Sequence, residues 1–196
     1  MLAATAAPTG KTRPPTANAA PCESCHGVRG EGAPPAAIPR LAGQSADYLA
    51  KQLDDYENHT RDNAVMRNFA RGLSSSERAQ LGAYYATLEA PHTAETVPPS
   101  AQQLARGRLL AFQGDEAERV QACNNCHGPD GNGLPHTAPY LAGQSAEYLA
   151  HEIKAWQEGT RKNDAGKLML TIAKQLSSTD IAAVSAYFAS RGTDAN

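Results

Sequence analysis

The sequence predicts an all-α chain built from two tandem copies of one small unit. Three observations predict it. The run Leu41 to Ala50 (LAGQSADYLA) returns as Leu141 to Ala150 with nine of ten positions identical and Asp47 replaced by Glu147. The pattern Cys-x-x-Cys-His occurs at Cys22–His26 and again at Cys123–His127, and these two stretches use all four cysteines. Apolar residues recur at helical spacing in both halves, with no strand-rich run between them. Thr60-Arg61 with Thr160-Arg161, and Leu73-Ser74-Ser75 with Leu176-Ser177-Ser178, extend the repeat.

The 196 residues suit one or two small domains. Residues 1–20 are rich in Ala, Thr and Pro without a helical period, and read as a flexible arm. Met1 to Ala7 can be the tail of a secretory signal or a cloning scar, and is too short for a whole signal peptide. The first unit is expected over 21–90, an extended Pro-rich linker over 91–100, and the second unit over 101–192.

The elements follow in order. In the first unit, Tyr48, Leu49, Leu53 and Tyr56 give a helical rhythm from Ser45 to Asn58, with Ser45 placed to cap and Asp47 favourable in the first turn. The closing helix opens with a capping box, Ser74 with Glu77, and continues through Leu81, Tyr84, Tyr85 and Leu88. The second unit starts with a helix over Ala101 to Phe112, which has no counterpart in the first because Lys11 to Ala20 contains Pro14 and Pro15. Ser145 to Glu158 repeats the middle helix with Tyr148, Leu149, Ile153 and Trp156. Ser177 with Asp180 opens the last helix, which runs through Ile181, Val184, Tyr187 and Phe188. Each unit has few hydrophobic residues for its size, and a domain that small needs a staple.

The two Cys-x-x-Cys-His stretches supply one. The pattern is the attachment signature of c-type haem. Residues three and four apart share a helical face, so Cys22, Cys25 and His26 can meet one flat macrocycle, as can Cys123, Cys126 and His127. The thiols become thioethers and the histidine gives the iron an axial nitrogen. Two alternatives are weaker. A thioredoxin-like pair needs a βαβ setting. A zinc site gives no reason for a histidine directly after each pair. The reading is two covalently bound haem c groups, each forming the middle of one core.

The second axial position decides the use of the iron. The chain has three methionines, of which Met1 is terminal. Met66 lies seven residues before Leu73 and Met169 seven before Leu176, although the preceding loop is three residues longer in the second unit. A lone methionine is more often a core filler, but these two sit at matching places, expected in loops, and are read as thioether ligands. His59, His92, His136 and His151 have no equivalents in the other unit and are read as exposed or structural. The loops after the haem histidines carry Gly27, Gly30 and Gly32, then Gly128, Gly131 and Gly133, which serve ordinary turns, close approach to the ring, or both.

Composition narrows the partners. Apolar residues make up 41% and charged residues 19%, with a net charge of −2. No basic stripe suits a nucleic acid. No run of 18 or more apolar residues can cross a bilayer, so association with membrane complexes can only be peripheral.

At this point the residues resemble a known family. Each unit looks like a class I cytochrome c, and the pair resembles the two-haem, two-domain bacterial cytochromes of the c-four type and related dihaem subunits of dehydrogenases. The features that carry the resemblance are the doubled Cys-x-x-Cys-His, the Pro-x-Leu-Ala-Gly-Gln runs from Pro39 and Pro139, the two methionines and the closing aromatic helices, over about residues 20–192. The resemblance implies that the Pro39 and Pro139 carbonyls accept hydrogen bonds from His26 and His127. It implies a propionate-binding role for Trp156, with Tyr56 at the same repeat position; core packing is the alternative for both. Arg61 and Arg161 either neutralise propionates or are solvated at the surface. The resemblance also implies a pseudo-two-fold packing with propionate edges facing. The missing first helix of unit one departs from the pattern.

The expected function is single-electron transfer between a dehydrogenase or quinol-oxidising complex and a terminal oxidase or reductase, without bond chemistry on a substrate. Covalent haem attachment in bacteria takes place outside the cytoplasm, so a periplasmic location is expected. The alternative is a tightly bound electron-transfer subunit of a dehydrogenase. A dihaem peroxidase needs an open iron, yet each unit offers a methionine. A thiosulfate-oxidising haem with a cysteine ligand needs a fifth cysteine, and the chain has four.

Overall fold

The computed structural model describes residues 20–89, 98–134, 136 and 138–191. Nine α-helices lie within them: α1 (Ala20–His26), α2 (Ala46–Glu57), α3 (Ala64–Ala70), α4 (Ser75–Ala86), α5 (Ala101–Phe112), α6 (Asn124–His127), α7 (Ala146–Glu158), α8 (Leu168–Gln175) and α9 (Ser178–Ser190). Among the described residues there is no strand, and β-pairing is limited to isolated bridges. The all-α prediction therefore holds. The absent first helix of unit one, and most of the linker, fall outside the described residues.

Local chemistry sets the helix starts. Ser74 and Glu77 form the capping box of α4, and Ser177 and Asp180 that of α9. Ser100 and Gln103 make a third, at α5. The two middle helices differ. The Ser145 hydroxyl accepts from the Tyr148 N–H at 3.1 Å, whereas Ser45 occupies the same position without a side-chain cap bond.

In unit one, α2 packs on α3 and α4; in unit two, α5 and α7 pack on α9, and α7 also on α8. Close approach needs glycine at two crossings. A Cβ on Gly107 would stand 2.2 Å from the Ala183 carbonyl oxygen, and one on Gly82 2.4 Å from that of Ala46. The second core holds Leu110, Val120, Leu149, Leu176, Ile181, Val184, Tyr187 and Phe188. The first is thinner: only Leu81 and Tyr85 are buried at its centre, ringed by partly buried Leu41, Leu49, Leu53, Leu73, Tyr84 and Leu88. Beside it the buried Arg78 reaches the exposed carboxylates of Asp54 and Glu57 at 2.5 Å each and the Ala70 carbonyl at 2.9 Å.

The halves meet along a seam of reciprocal contacts. Gln44 Nε2 donates to the Tyr140 carbonyl (3.0 Å) and its Oε1 accepts the Tyr140 N–H (3.1 Å); Gln144 does the same to Arg40, at 3.0 and 2.9 Å. The backbones of Arg61 and Arg161 form an antiparallel bridge, with Asp62 N–H donating to the Thr160 carbonyl and Lys162 N–H to that of Thr60. Equivalent residues thus bond to equivalent residues, the mark of a pseudo-two-fold.

Candidate functional site

Each unit builds its site from four pieces. The first is the cysteine-histidine turn. In unit one it is the end of α1; in unit two Cys123 is αR and α6 continues from it, with His127 N–H donating to the Cys123 carbonyl at 2.9 Å. Helical geometry puts the two sulfurs and the imidazole on one side. Cys25 and Cys126 are exposed, Cys22 and Cys123 half-buried, and none is in a disulfide. Burial pushes the Cys22 thiol up, and that of Cys123 up to about 11. Neutral thiols of this kind are poor redox nucleophiles and poor metal ligands. Among the described residues, no group of three or more His, Cys, Asp or Glu side chains could hold a metal ion.

The second piece fixes the histidine. His26 Nδ1 lies 2.9 Å from the Pro39 carbonyl oxygen and His127 Nδ1 3.0 Å from that of Pro139. A carbonyl can only accept, so each Nδ1 carries the proton and Nε2 keeps its lone pair. Burial pushes both imidazoles below their ordinary pKa, against the opposing pull of the proline carbonyls. The intervening loop is drawn tight alike in both units: Gly32 N–H donates to the His26 carbonyl (2.8 Å) and Gly133 N–H to that of His127 (2.7 Å). Gly32 has φ +81°, and a Cβ there would stand 2.7 Å from the Arg40 nitrogen.

The third piece carries the methionines, and corrects the sequence reading. Met66 and Met169 are not in loops. They lie in the first turns of α3 and α8. The Asn63 side chain caps α3 by accepting the Met66 N–H at 3.0 Å. The three extra residues of unit two form a tight turn, Ala165–Lys167, with Gly166 at φ +64° and Lys167 at +58°. The turn absorbs the insertion before Met169. Both methionines are half-buried beside exposed apolar side chains, Val65 (59%) and Phe69 (42%) on α3 and Leu168 (63%) on α8.

The fourth piece is the seam. Tyr56 and Trp156 are buried one helical turn after Gln52 and Glu152. Arg61 lies over the Tyr56 ring at 4.7 Å and Arg161 over the Trp156 ring at 3.9 Å. Surface solvation of these arginines, one of the two sequence alternatives, is overturned: each is 4% exposed. Arg61 pairs with Glu152 (2.7 Å) and donates to Gln52 and Tyr148; Arg161 pairs with Glu152 (2.6 Å) and donates to Tyr48 and Gln52. Gln44, Gln144, Gln52 and Glu152 were missed as functional residues. The repeated LAGQSA run was the signal for Gln44 and Gln144, but it gives no hint that each serves the other unit; Gln52 and Glu152 lie outside it. His59 and His151 are exposed, His136 pairs with Asp47 across the seam, and His92 lies outside the described residues.

Burial raises the Glu152 pKa, but Arg61, the His151 hydrogen bond and Arg161 outweigh it and hold the carboxyl down at about 2. A depressed carboxyl stabilises the fold above its unfolded pKa and loses that contribution as pH falls through the folded value. Stability is therefore expected to decline as pH drops from about 4.5 to 2, the two ends set by the ordinary and the depressed pKa of this carboxyl. Urea midpoints measured across that range should show the decline, and Glu152→Gln should flatten it.

The donors fit a covalent haem. Two thiols precede a histidine with a free Nε2, a thioether sulfur is available in each unit, and exposed apolar side chains lie beside it. Among the described residues the buried Trp156 Nε1–H has no hydrogen-bond partner, as expected of a donor meant for an acidic group outside the polypeptide. Fold and site thus define a duplicated, helical, c-type haem protein. Comparison with known proteins agrees. The cytochrome c family model matches residues 16–89 and 111–191, and the chain belongs to that family. It is a dihaem, c4-type electron-transfer protein with two covalently bound haem c groups. It is 41% identical over 173 residues to a thiosulfate dehydrogenase electron acceptor of Stutzerimonas stutzeri, covering 87% of this chain and 79% of the relative. A solved thiosulfate dehydrogenase from Marichromatium purpuratum superposes with TM-score 0.79 at 37% identity, over 87% of this chain but only 36% of that one. Acidithiobacillus ferrooxidans cytochrome c4 superposes with TM-score 0.78 at 31% identity, over 88% of this chain and 99% of that one.

Proposed function

We propose that this chain is a periplasmic carrier that takes single electrons from a thiosulfate-oxidising dehydrogenase and passes them to a terminal oxidase or reductase. The haem c iron, when bound, supplies a one-electron ferric–ferrous couple. The chain's residues do the rest. Cys22, Cys25, Cys123 and Cys126 anchor the two macrocycles. His26 and His127 present Nε2 to the iron, oriented by Pro39 and Pro139. Met66 and Met169 would each supply a thioether sulfur to the iron, which would leave no open position for oxygen or peroxide and favour the ferrous state. Trp156 and Tyr56, with Arg61 and Arg161 over them, would hold the propionates. The observation that carries the reading is the matched placement of a histidine with free Nε2 and a methionine helix in both units. The donor class rests on the relatives' names. No described helix is long and apolar enough to cross a membrane.

A second reading, a bound subunit of the dehydrogenase, is favoured by the Marichromatium structure, in which the matching region is part of a longer chain. Stopped-flow mixing tests both. The oxidised protein should be reduced by two electrons when thiosulfate and the dehydrogenase are both present, and remain oxidised with thiosulfate alone. Reduction by thiosulfate alone, or rapid binding of carbon monoxide or peroxide, would return the protein to the enzymes. Co-elution with the dehydrogenase on gel filtration at micromolar concentration would select the subunit.

A further inference from the structure

Around the two arginines the seam is closed by hydrogen bonds in pseudo-symmetric pairs. Arg61 donates Nη1 to Gln52 (2.9 Å) and Nη2 to the Tyr148 hydroxyl (2.7 Å); Arg161 donates Nη1 to Glu152 (2.6 Å) and Nη2 to the Tyr48 hydroxyl (3.1 Å). A shift of one hundred residues maps each bond onto the other, save that a neutral amide in unit one answers to a carboxylate in unit two. Both residue 52 and residue 152 also reach the opposite arginine: Glu152 Oε1 pairs with Arg61 Nη2 at 2.7 Å, and Gln52 Oε1 accepts from Arg161 Nη2 at 3.1 Å. Arg61, Arg161, Gln52 and Glu152 are all buried. The cluster therefore holds two cations and one anion out of water. Of the other titratable groups nearby, Asp55 is engaged by Lys51 and Asn163, and His151 is exposed beside Glu152.

We propose that Glu152 is the positioning residue that sets the charge of this seam, and that through it residues 52 and 152 tune the reduction potentials of both haems without touching either. The proposal rests on the haem sites assigned above. Its physical content is simple. Each arginine lies over the aromatic assigned above to its unit's propionates, and each aromatic is one helical turn from residue 52 or 152, a spacing at which side chains are neighbours. Charge held in a low-dielectric seam acts over longer range than surface charge and is poorly screened by salt. Net positive charge disfavours ferric iron and raises the potential, whereas a carboxylate lowers it. Glu152 shares α7 with Trp156, so it weighs more on the second unit than on the first.

Spectroelectrochemical titration of the full-length holoprotein tests this, with wild type, Glu152→Gln, Gln52→Glu and the double exchange. Both midpoint potentials should rise in Glu152→Gln, the second unit's by more, and both should fall in Gln52→Glu. The exchange keeps the seam charge, so the mean should return close to the wild-type value while the gap between the two potentials changes. Raising the salt concentration should leave these shifts in place. A purely structural role would lower thermal stability in Glu152→Gln without moving the potentials in opposite directions in the two single variants. Gln52→Glu, which adds an anion between two cations, carries the test alone if Glu152→Gln does not fold. Unmoved potentials, with two haems per chain and an intact sulfur-to-iron band, would overturn the proposal. Absence of that band from the wild type would instead overturn the methionine assignment beneath it.

Discussion

Replacing Met66 or Met169 by alanine is expected to remove about half of the weak long-wavelength sulfur-to-iron absorbance of the oxidised protein, as one of two equivalent sites. The double replacement should abolish it. Each methionine sits in the first turn of a short helix, α3 or α8, whose start is set independently of the side chain, by the Asn63 cap in one unit and by the Ala165–Lys167 turn in the other. The variants should therefore fold, and the loss should be electronic. Thioether ligation raises the potential, so the altered haem should become harder to reduce by on the order of 100 mV, a fraction of the roughly 0.8 V that axial ligands span. It should also bind carbon monoxide at one equivalent per chain. Full absorbance in either single variant would show that its methionine is not a ligand.

Arg161→Ala is expected to cost about 3–5 kcal/mol, the range for removing one partner of a buried ion pair. Five contacts go together: the pair with Glu152, the bonds to Tyr48 and Gln52, the bond from Nε to Asn163, and the cover over Trp156. Glu152 keeps Arg61, so its carboxylate is not orphaned and the lower part of the range applies. Because Tyr48 and Gln52 lie across the seam, the loss should uncouple the units. Calorimetry should show one transition in the wild type and two in the variant, the thinner first unit melting earlier. A double-mutant cycle with Glu152→Ala should give a coupling of at least about 1 kcal/mol, within the 0.5–3 kcal/mol seen for residues in contact. A single unshifted transition would mean that the seam does not join the units energetically.

The helix starts were legible because capping chemistry is local. Ser74 with Glu77 and Ser177 with Asp180 need only a three-residue spacing, and the structure has both boxes. Ser100 with Gln103 forms a third box at the same spacing. Ser45 shows the limit, since the residue is in the cap position but its hydroxyl makes no bond. The methionines were located by aligning the repeat, yet their setting was misread. Asn63 looks like a loop residue until its side chain turns back onto the Met66 N–H. The three-residue insertion hid the same design in unit two.

What the sequence determined by itself is the periodic and the repeated: an all-α chain, two copies of one unit, two haem attachment motifs, and a matched methionine in each. These follow from spacing along the chain, which helical geometry converts directly into a shared face. The seam was decided only by the tertiary structure. Nothing in the chain order announces that Arg61 reaches Glu152 and Tyr148, or that Gln44 bonds the backbone of Tyr140. Those partners lie about ninety to a hundred residues apart. A charge in isolation reads as surface, because leaving water is costly; it can be buried only where an opposite charge and hydrogen-bond partners converge on it. That convergence is a property of two units docked against each other, so it appears only in three dimensions.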